Sequence, residues 1–240
     1  MSAEKTNILD RLREEIRRHD KPKFRRNYQR FHREELAEPE GIRTDLLRGM
    51  SNRAYRTVRH LTMAEILEIC ESLLASDERY MQFFAFDWAE KLAGRYGRSD
   101  FTRFQRWLKL HVDSWSSCDH LCCGALGKVI CQYPALVPRT RKWSKSRNRW
   151  LRRASAVSLI VSLRRSLDLS EGIKTADLLL ADTDDMVQKG CGWMLKEASR
   201  RFPKKVFDYV VAHKHMMSRT TLRYAIEKLS AGQRKAAMRK

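Results

Sequence analysis

The sequence predicts an all-α protein, a curved α-solenoid of about a dozen helices stacked in antiparallel pairs. Three observations carry that expectation. Apolar residues recur with helical spacing from end to end, and no segment alternates convincingly as a strand would. Gly (10) and Pro (5) are scarce for 240 residues, whereas an all-β fold needs many turns. No helical stretch is long or heptad-regular enough for a coiled coil, and paired helices return roughly every 35–45 residues.

The elements follow in order. Residues 4–18, 23–36 and 43–59 read as helices. Thr62-Met63-Ala64-Glu65 is a capping box opening a run with Ile66, Leu67, Ile69, Cys70, Leu73 and Leu74. Ser76 and Asp77 open a run with Tyr80, Phe83, Phe84, Trp88, Leu92 and Tyr96, ended by Gly97. Ser99 and Asp100 open another, with Phe101, Phe104, Trp107, Leu108 and Leu110. Further helices are legible at 114–132, 134–143, 146–163, 171–181, 183–202, 203–213 and 218–230. Pro134 and Pro203 fall where a first helical turn tolerates proline. No linker splits the chain, so residues 1–240 read as a single domain, with 231–240 a basic flexible tail.

Composition narrows the function classes. At 42% hydrophobic residues the chain can bury a core, which excludes disorder throughout. The best apolar stretch, Ala154 to Leu163, is short and flanked by arginines, so a membrane span is excluded. Met1 to Arg18 is charged throughout, so no signal peptide is expected and a cytoplasmic location is, nucleoid-associated if the source is bacterial. The six cysteines, Cys70, Cys118, Cys122, Cys123, Cys131 and Cys191, cluster in apolar helical patterns and read as reduced core thiols. A zinc site is not expected, because Cys118 and Cys122 are one helical turn apart and lack a second ligand pair. The spacing fits no iron–sulfur cluster, and no phosphate-loop or dinucleotide fingerprint occurs.

Charge points to a polyanion. Lys and Arg number 49 against 29 Asp and Glu, a formal net charge of +20. Self-repulsion of that size is most easily tolerated when a partner neutralises it, nucleic acid first and an anionic membrane surface second. Arg139 to Arg153 holds Arg139, Arg141, Lys142, Lys145, Arg147, Arg149, Arg152 and Arg153, with Trp143 and Trp150 interleaved and no acid. A solvated face would show acids at i±4, so the stretch reads as phosphate-contacting, with stacking or groove packing by the aromatics. Pro22 to Arg33 repeats the pattern, with Phe24, Tyr28 and Phe31 among five basic residues. No helix-turn-helix, zinc finger or RNP motif argues for sequence reading.

Three segments could carry chemistry. Trp115 and Asp119 are i,i+4 and share a face of the helix opened by Ser114. Read alone, Trp115 is a core residue and Asp119 a carboxylate favoured by the helix dipole. In Asn148 to Val157, Trp150, Leu151, Ala154 and Val157 form the apolar face, leaving Arg149, Arg152, Arg153 and Ala156 outward. In Gln188 to Glu197, Gly190 and Gly192 interrupt a helix at roughly 1 kcal/mol each, which makes sense if another backbone packs closely.

Together these segments resemble the AlkD-type DNA alkylation repair proteins. The resemblance rests on Trp-x-x-x-Asp at 115–119, Asn-x-Trp-Leu-x-Arg-Ala at 148–154 and Gln-Lys-x-x-Gly-Trp-x-Leu-x-Glu at 188–197, in order over most of the chain. Ser218-Arg219 and Gly41-Ile42-Arg43-Thr44 also look like family features. The resemblance implies HEAT-like helical repeats. It also implies monofunctional glycosylase activity on cationic N3- or N7-alkylated purines in duplex DNA, without metal or cofactor and without lyase activity. It places the family's catalytic carboxylate on Asp119, its lesion-flanking tryptophans on Trp115 and Trp193, and its arginine on Arg153, which holds a backbone phosphate or positions Asp119. Arg149, Arg152, Lys145, Arg147, Lys189, Arg219, Tyr28 and His32 are the expected DNA contacts, and a monomer is expected. Two places depart from the family pattern. The N-terminal aromatic has no clear counterpart among Tyr28, Phe31 and His32, and Asp185 and Met186 replace an aromatic pair before Gln188-Lys189. A non-excising DNA-binding relative that recognises bent or branched DNA, and a HEAT-type protein-interaction scaffold, stay open as alternatives.

Overall fold

A computed structural model describes residues 2–20, 41–76 and 78–239, with side chains from residue 7 onward. Every regular element among these residues is helical, and none is a strand. The expected helix 23–36 and the expected DNA contacts Tyr28 and His32 lie outside the described residues, as does Asp77. No single described helix is long and apolar enough to cross a membrane.

The chain forms two compact units, Met1–Arg95 and Tyr96–Lys240. The first holds α1 (Ser2–His19), α2 (Thr44–Val58), α3 (Met63–Ala75) and α4 (Arg79–Lys91). Ile8, Leu12 and Ile16 repeat every four residues along α1 and are buried. The capping box that opens α3 is present, with Thr62 and Glu65 bonded reciprocally. Ser76 does not open α4 but ends α3, its hydroxyl donating to the Leu73 carbonyl. Trp88 is fully buried and its indole N–H donates to Ser51 Oγ at 3.0 Å, so the large ring leaves no orphan donor.

The second unit holds α5 (Asp100–Leu110), α6 (Trp115–Cys123), α7 (Ala125–Gln132), α8 (Val137–Arg141), α9 (Arg149–Val157), α10 (Ile160–Arg165), α11 (Leu169–Leu179), α12 (Asp185–Ala198), α13 (Pro203–His213), α14 (Arg219–Ala225) and α15 (Ala231–Met238). Short 3-10 turns, Pro134–Leu136 and Lys142–Lys145, flank α8. Proline opens the first of these and also α13, as expected. The expected helix 114–132 is two helices meeting at Gly124. A Cβ on Gly127 would lie 2.1 Å from the Cys122 carbonyl oxygen, so the chain closes on itself where only glycine fits. The expected 146–163 helix likewise breaks into α9 and α10 after Ser158.

Two further expectations change. The tail expected at 231–240 forms α15, with a Ser230–Gln233 capping box and a buried Ala237. Trp143 and Trp150 are core residues rather than stacking platforms, and Trp143 stacks on Phe101 with centroids 5.8 Å apart.

Candidate functional site

Three helices of the second unit converge on one ion pair. Ser114 caps α6, and its reciprocal 3.2 Å bonds with Ser117 fix where the helix starts. Asp119 then stands one turn beyond Trp115. Its Oδ1 accepts from Arg153 Nε and its Oδ2 from Arg153 Nη2, both at 2.8 Å. The remaining guanidinium arm, Nη1, donates to the Met186 carbonyl at 2.5 Å in the first turn of α12. Arg153 thus joins α6 to α12 with a planar fork that matches a carboxylate.

The pair is asymmetric. The Arg153 side chain is 6% exposed and that of Asp119 18%, so the cation is the more deeply buried partner and Asp119 keeps some contact with solvent. Burial pushes the Asp119 carboxyl above its ordinary range, against the pull of the Arg153 hydrogen bonds and charge. Burial also opposes charge on Arg153, but Asp119 more than offsets it and its proton is held more tightly than usual.

Arg153 and Ala156 were expected outward on α9, yet both are buried. Gly190 explains how. A Cβ there would sit 3.0 Å from Arg153 Cγ and 3.4 Å from Nη1, so the glycine makes room for the arginine on α12. Gly192 serves a different approach. Its Cβ would meet Tyr224 Cβ at 2.5 Å and the Thr221 carbonyl oxygen at 2.8 Å, where α14 crosses. The close backbone approach expected at these glycines holds for Gly192, whereas at Gly190 the neighbour is a side chain.

Trp115 and Trp193 are both half-buried, Trp193 one turn along α12 from Gly190. The Trp193 indole N–H donates to Glu197 Oε1 at 3.3 Å. Glu197 closes the Gln188–Glu197 motif, but its sequence assigned it no role, although Trp193 and Glu197 stand at i,i+4.

The basic stretch needs correction. No acid lies within 139–153, yet four of its arginines are paired by acids from elsewhere. Arg141 pairs with Glu171. Arg149 Nε meets Asp184 Oδ2 at 2.8 Å, and Arg152 Nε meets Asp182 Oδ2 at 2.6 Å. Arg153 has Asp119. Asp184 also caps α12, accepting from the Met186 and Val187 amides. The i±4 test sees only partners on the same helix, and these acids come from α6, from α11 and from the loop that leads into α12. Lys189 pairs with Asp185 at 2.5 Å. Lys145, Arg147 and Arg219 are exposed and make no ion pair among the described residues.

All six cysteines are free, and Cys118, Cys122 and Cys191 are buried in this unit. Cys118 Sγ approaches the Trp150 carbonyl oxygen at 3.7 Å, helping to seat α6 on α9.

Comparison with known proteins bears on this arrangement. The family model described as DNA alkylation repair enzyme matches residues 12–229. Among solved structures, a predicted DNA alkylation repair enzyme from Enterococcus faecalis matches with a TM-score of 0.75. It is 16% identical, over 89% of this chain and 98% of its own. AlkD2 from Streptococcus mutans matches with a TM-score of 0.59 at 19% identity, over 77% of this chain and 91% of its own. At these identities the structural likeness speaks to the fold. No curated protein matches the sequence.

Proposed function

The chain belongs to the DNA alkylation repair enzyme family, and from that premise we propose that it is a monofunctional DNA glycosylase. Its substrates are cationic N3- or N7-alkylated purines in duplex DNA. The observation that carries the reading is the Asp119–Arg153 pair, a carboxylate gripped at both oxygens yet still partly exposed, on the helix that begins with Trp115.

An N3- or N7-alkylated purine is positively charged. When its C1′–N bond breaks, the bonding electrons return to the base, which leaves neutral. No general acid is required. The sugar carries the positive charge in the transition state, and an anion near C1′ stabilises it. Asp119 supplies that anion. Arg153 is the more deeply buried of the two, so Asp119 is the partner with more surface to offer an approaching sugar. Water then attacks C1′, Asp119 accepts a hydrogen bond from it, and its proton leaves with solvent. The products are a free purine and an abasic site.

Arg153 positions Asp119 rather than holding a phosphate, because three of its five N–H donors are committed and its side chain is buried. Trp115 and Trp193 offer electron-rich faces to a cationic lesion and sugar. Of the expected contacts among the described residues, Lys145, Arg147 and Arg219 can meet DNA phosphates without breaking an ion pair. Arg149, Arg152 and Lys189 reach a phosphate only by exchanging Asp184, Asp182 and Asp185 for it.

The test is release of free base. The purified protein should liberate 3-methyladenine or 7-methylguanine from a methylated duplex, in the presence of EDTA, leaving abasic sites that break only on alkali treatment. Tight duplex binding with no base released would select a non-excising DNA-binding protein instead. The paired Arg149 and Arg152 and the aliphatic Met186 are the features that favour that second reading.

A further inference from the structure

Glu197 is the most deeply buried carboxylate of α12, 3% exposed. Its Oε2 accepts from Arg164 Nε at 2.9 Å and from Arg200 Nε at 2.7 Å. Its Oε1 accepts from the Trp193 indole at 3.3 Å. Arg164 comes from the last turn of α10, so the carboxylate is gripped from a neighbouring helix as well as its own. Both arginines are about half exposed, at 46% and 53%. The two cations outweigh the burial and hold the Glu197 carboxyl below its ordinary range.

Stability alone does not call for such a group. A buried ion cluster can often be replaced by well-packed apolar residues at no loss. A half-exposed indole, by contrast, has a specific need. Its ring orientation is set by two side-chain torsions, and its single N–H can fix them if the acceptor itself cannot move. A carboxylate clamped by two arginines is such an acceptor. An anion bonded to the indole N–H also enriches the ring face that a cation would meet.

We propose that Glu197 is a positioning residue, which with Arg164 and Arg200 fixes the Trp193 indole in the orientation that meets the damaged nucleotide. This rests on the glycosylase reading of the site. Glu197→Gln keeps the size of the side chain, but its one carbonyl oxygen cannot serve both the arginines and the indole. The variant should slow single-turnover release of 7-methylguanine by about three- to tenfold, the scale of one lost hydrogen bond. Affinity for undamaged duplex should stay within about twofold, because no phosphate contact is removed.

Trp193→Phe supplies the discriminating background, since phenylalanine keeps an aromatic ring but has no N–H to hold. There, Glu197→Gln should cost less than about twofold further. An equal loss in both backgrounds would mean that Glu197 acts through general packing and would overturn the proposal. A second readout does not need excision. The Trp193 indole N–H resonance, assigned by its absence in Trp193→Phe, should shift and exchange faster in Glu197→Gln. An unmoved resonance would also overturn the proposal. A wild-type protein that releases no base would overturn the glycosylase reading, and with it any part for Glu197 in excision. A shifted resonance would then support the tie between Glu197 and Trp193 alone.

Discussion

Replacing Arg153 by Met removes the one residue that both holds Asp119 and opposes its protonation. Methionine is shorter but keeps the unbranched Cβ–Cγ stem, so the packing of that stem against Gly190 is largely kept. What is lost is a bidentate grip at 2.8 Å on each oxygen and a bond to the Met186 carbonyl. Breaking a buried pair from one side typically costs about 3–5 kcal/mol. Asp119 keeps 18% of its side-chain surface, so solvent offsets part of this and the lower end, about 3 kcal/mol, is expected. At roughly 2–4 °C per kcal/mol for a chain of this size, the melting temperature should fall by about 6–12 °C. The pH dependence carries more information. Burial already raises the Asp119 carboxyl, and Arg153 is what restrains the rise. Without it the folded-state pKa climbs further. A carboxyl whose folded pKa exceeds its unfolded one is neutral in both states at low pH. Its destabilisation therefore grows as pH rises through the unfolded pKa and levels off above the folded one. The variant should lose more stability at neutral pH than at pH 4. If it retains measurable excision, the acid limb of the rate profile should move to higher pH, because the active form is the ionised one. Melting curves and single-turnover rates across pH 4–8 provide the assay. A stability deficit independent of pH, or an acid limb shifted downward, would refute the electrostatic role given to Arg153.

Other outcomes follow from the same structure. Lys145→Ala with Arg147→Ala should weaken all duplexes alike and shallow the slope of log affinity against log salt by about 1.8, as two phosphate contacts would. An unchanged slope would remove these residues from the interface. Gly192→Ala places a Cβ 2.5 Å from Tyr224 Cβ and 2.8 Å from the Thr221 carbonyl oxygen, and should cost about 1–3 kcal/mol on denaturant unfolding. Ending the chain after Leu229 removes α15 and its buried Ala237, and should lower the melting temperature measurably where loss of a disordered tail would not.

Much of the fold was legible because helices announce themselves locally. The Thr62–Glu65 box and the apolar spacing behind it mark α3 without reference to anything distant. The Ser230–Gln233 box was equally present, but Arg234, Lys235 and the small alanines that follow gave no apolar stripe to accompany it. The breaks at Gly124 and after Ser158 interrupt apolar patterns that run on unbroken through them, so periodicity does not record them. Charge was the least legible property. Arg149, Arg152 and Arg153 read as a surface because their acids stand 30 or more residues away, on elements that only the fold brings near. The motif residues fared better. Asp119, Arg153 and the helix that bears Trp193 do converge, and Gly190 reveals why the convergence needs a glycine.

The central claim is that Asp119 is the anion on which excision depends, and Asp119→Asn tests it most directly. Asparagine keeps the shape and one acceptor toward Arg153 but carries no charge. Single-turnover release of 3-methyladenine and 7-methylguanine from methylated duplex should fall by at least about tenfold, or about 1.4 kcal/mol of barrier, and by roughly 100-fold if the anion carries most of the stabilisation. Affinity for undamaged duplex should hold or tighten slightly. Base release at the wild-type rate by Asp119→Asn, from a protein shown to be folded, would contradict the account.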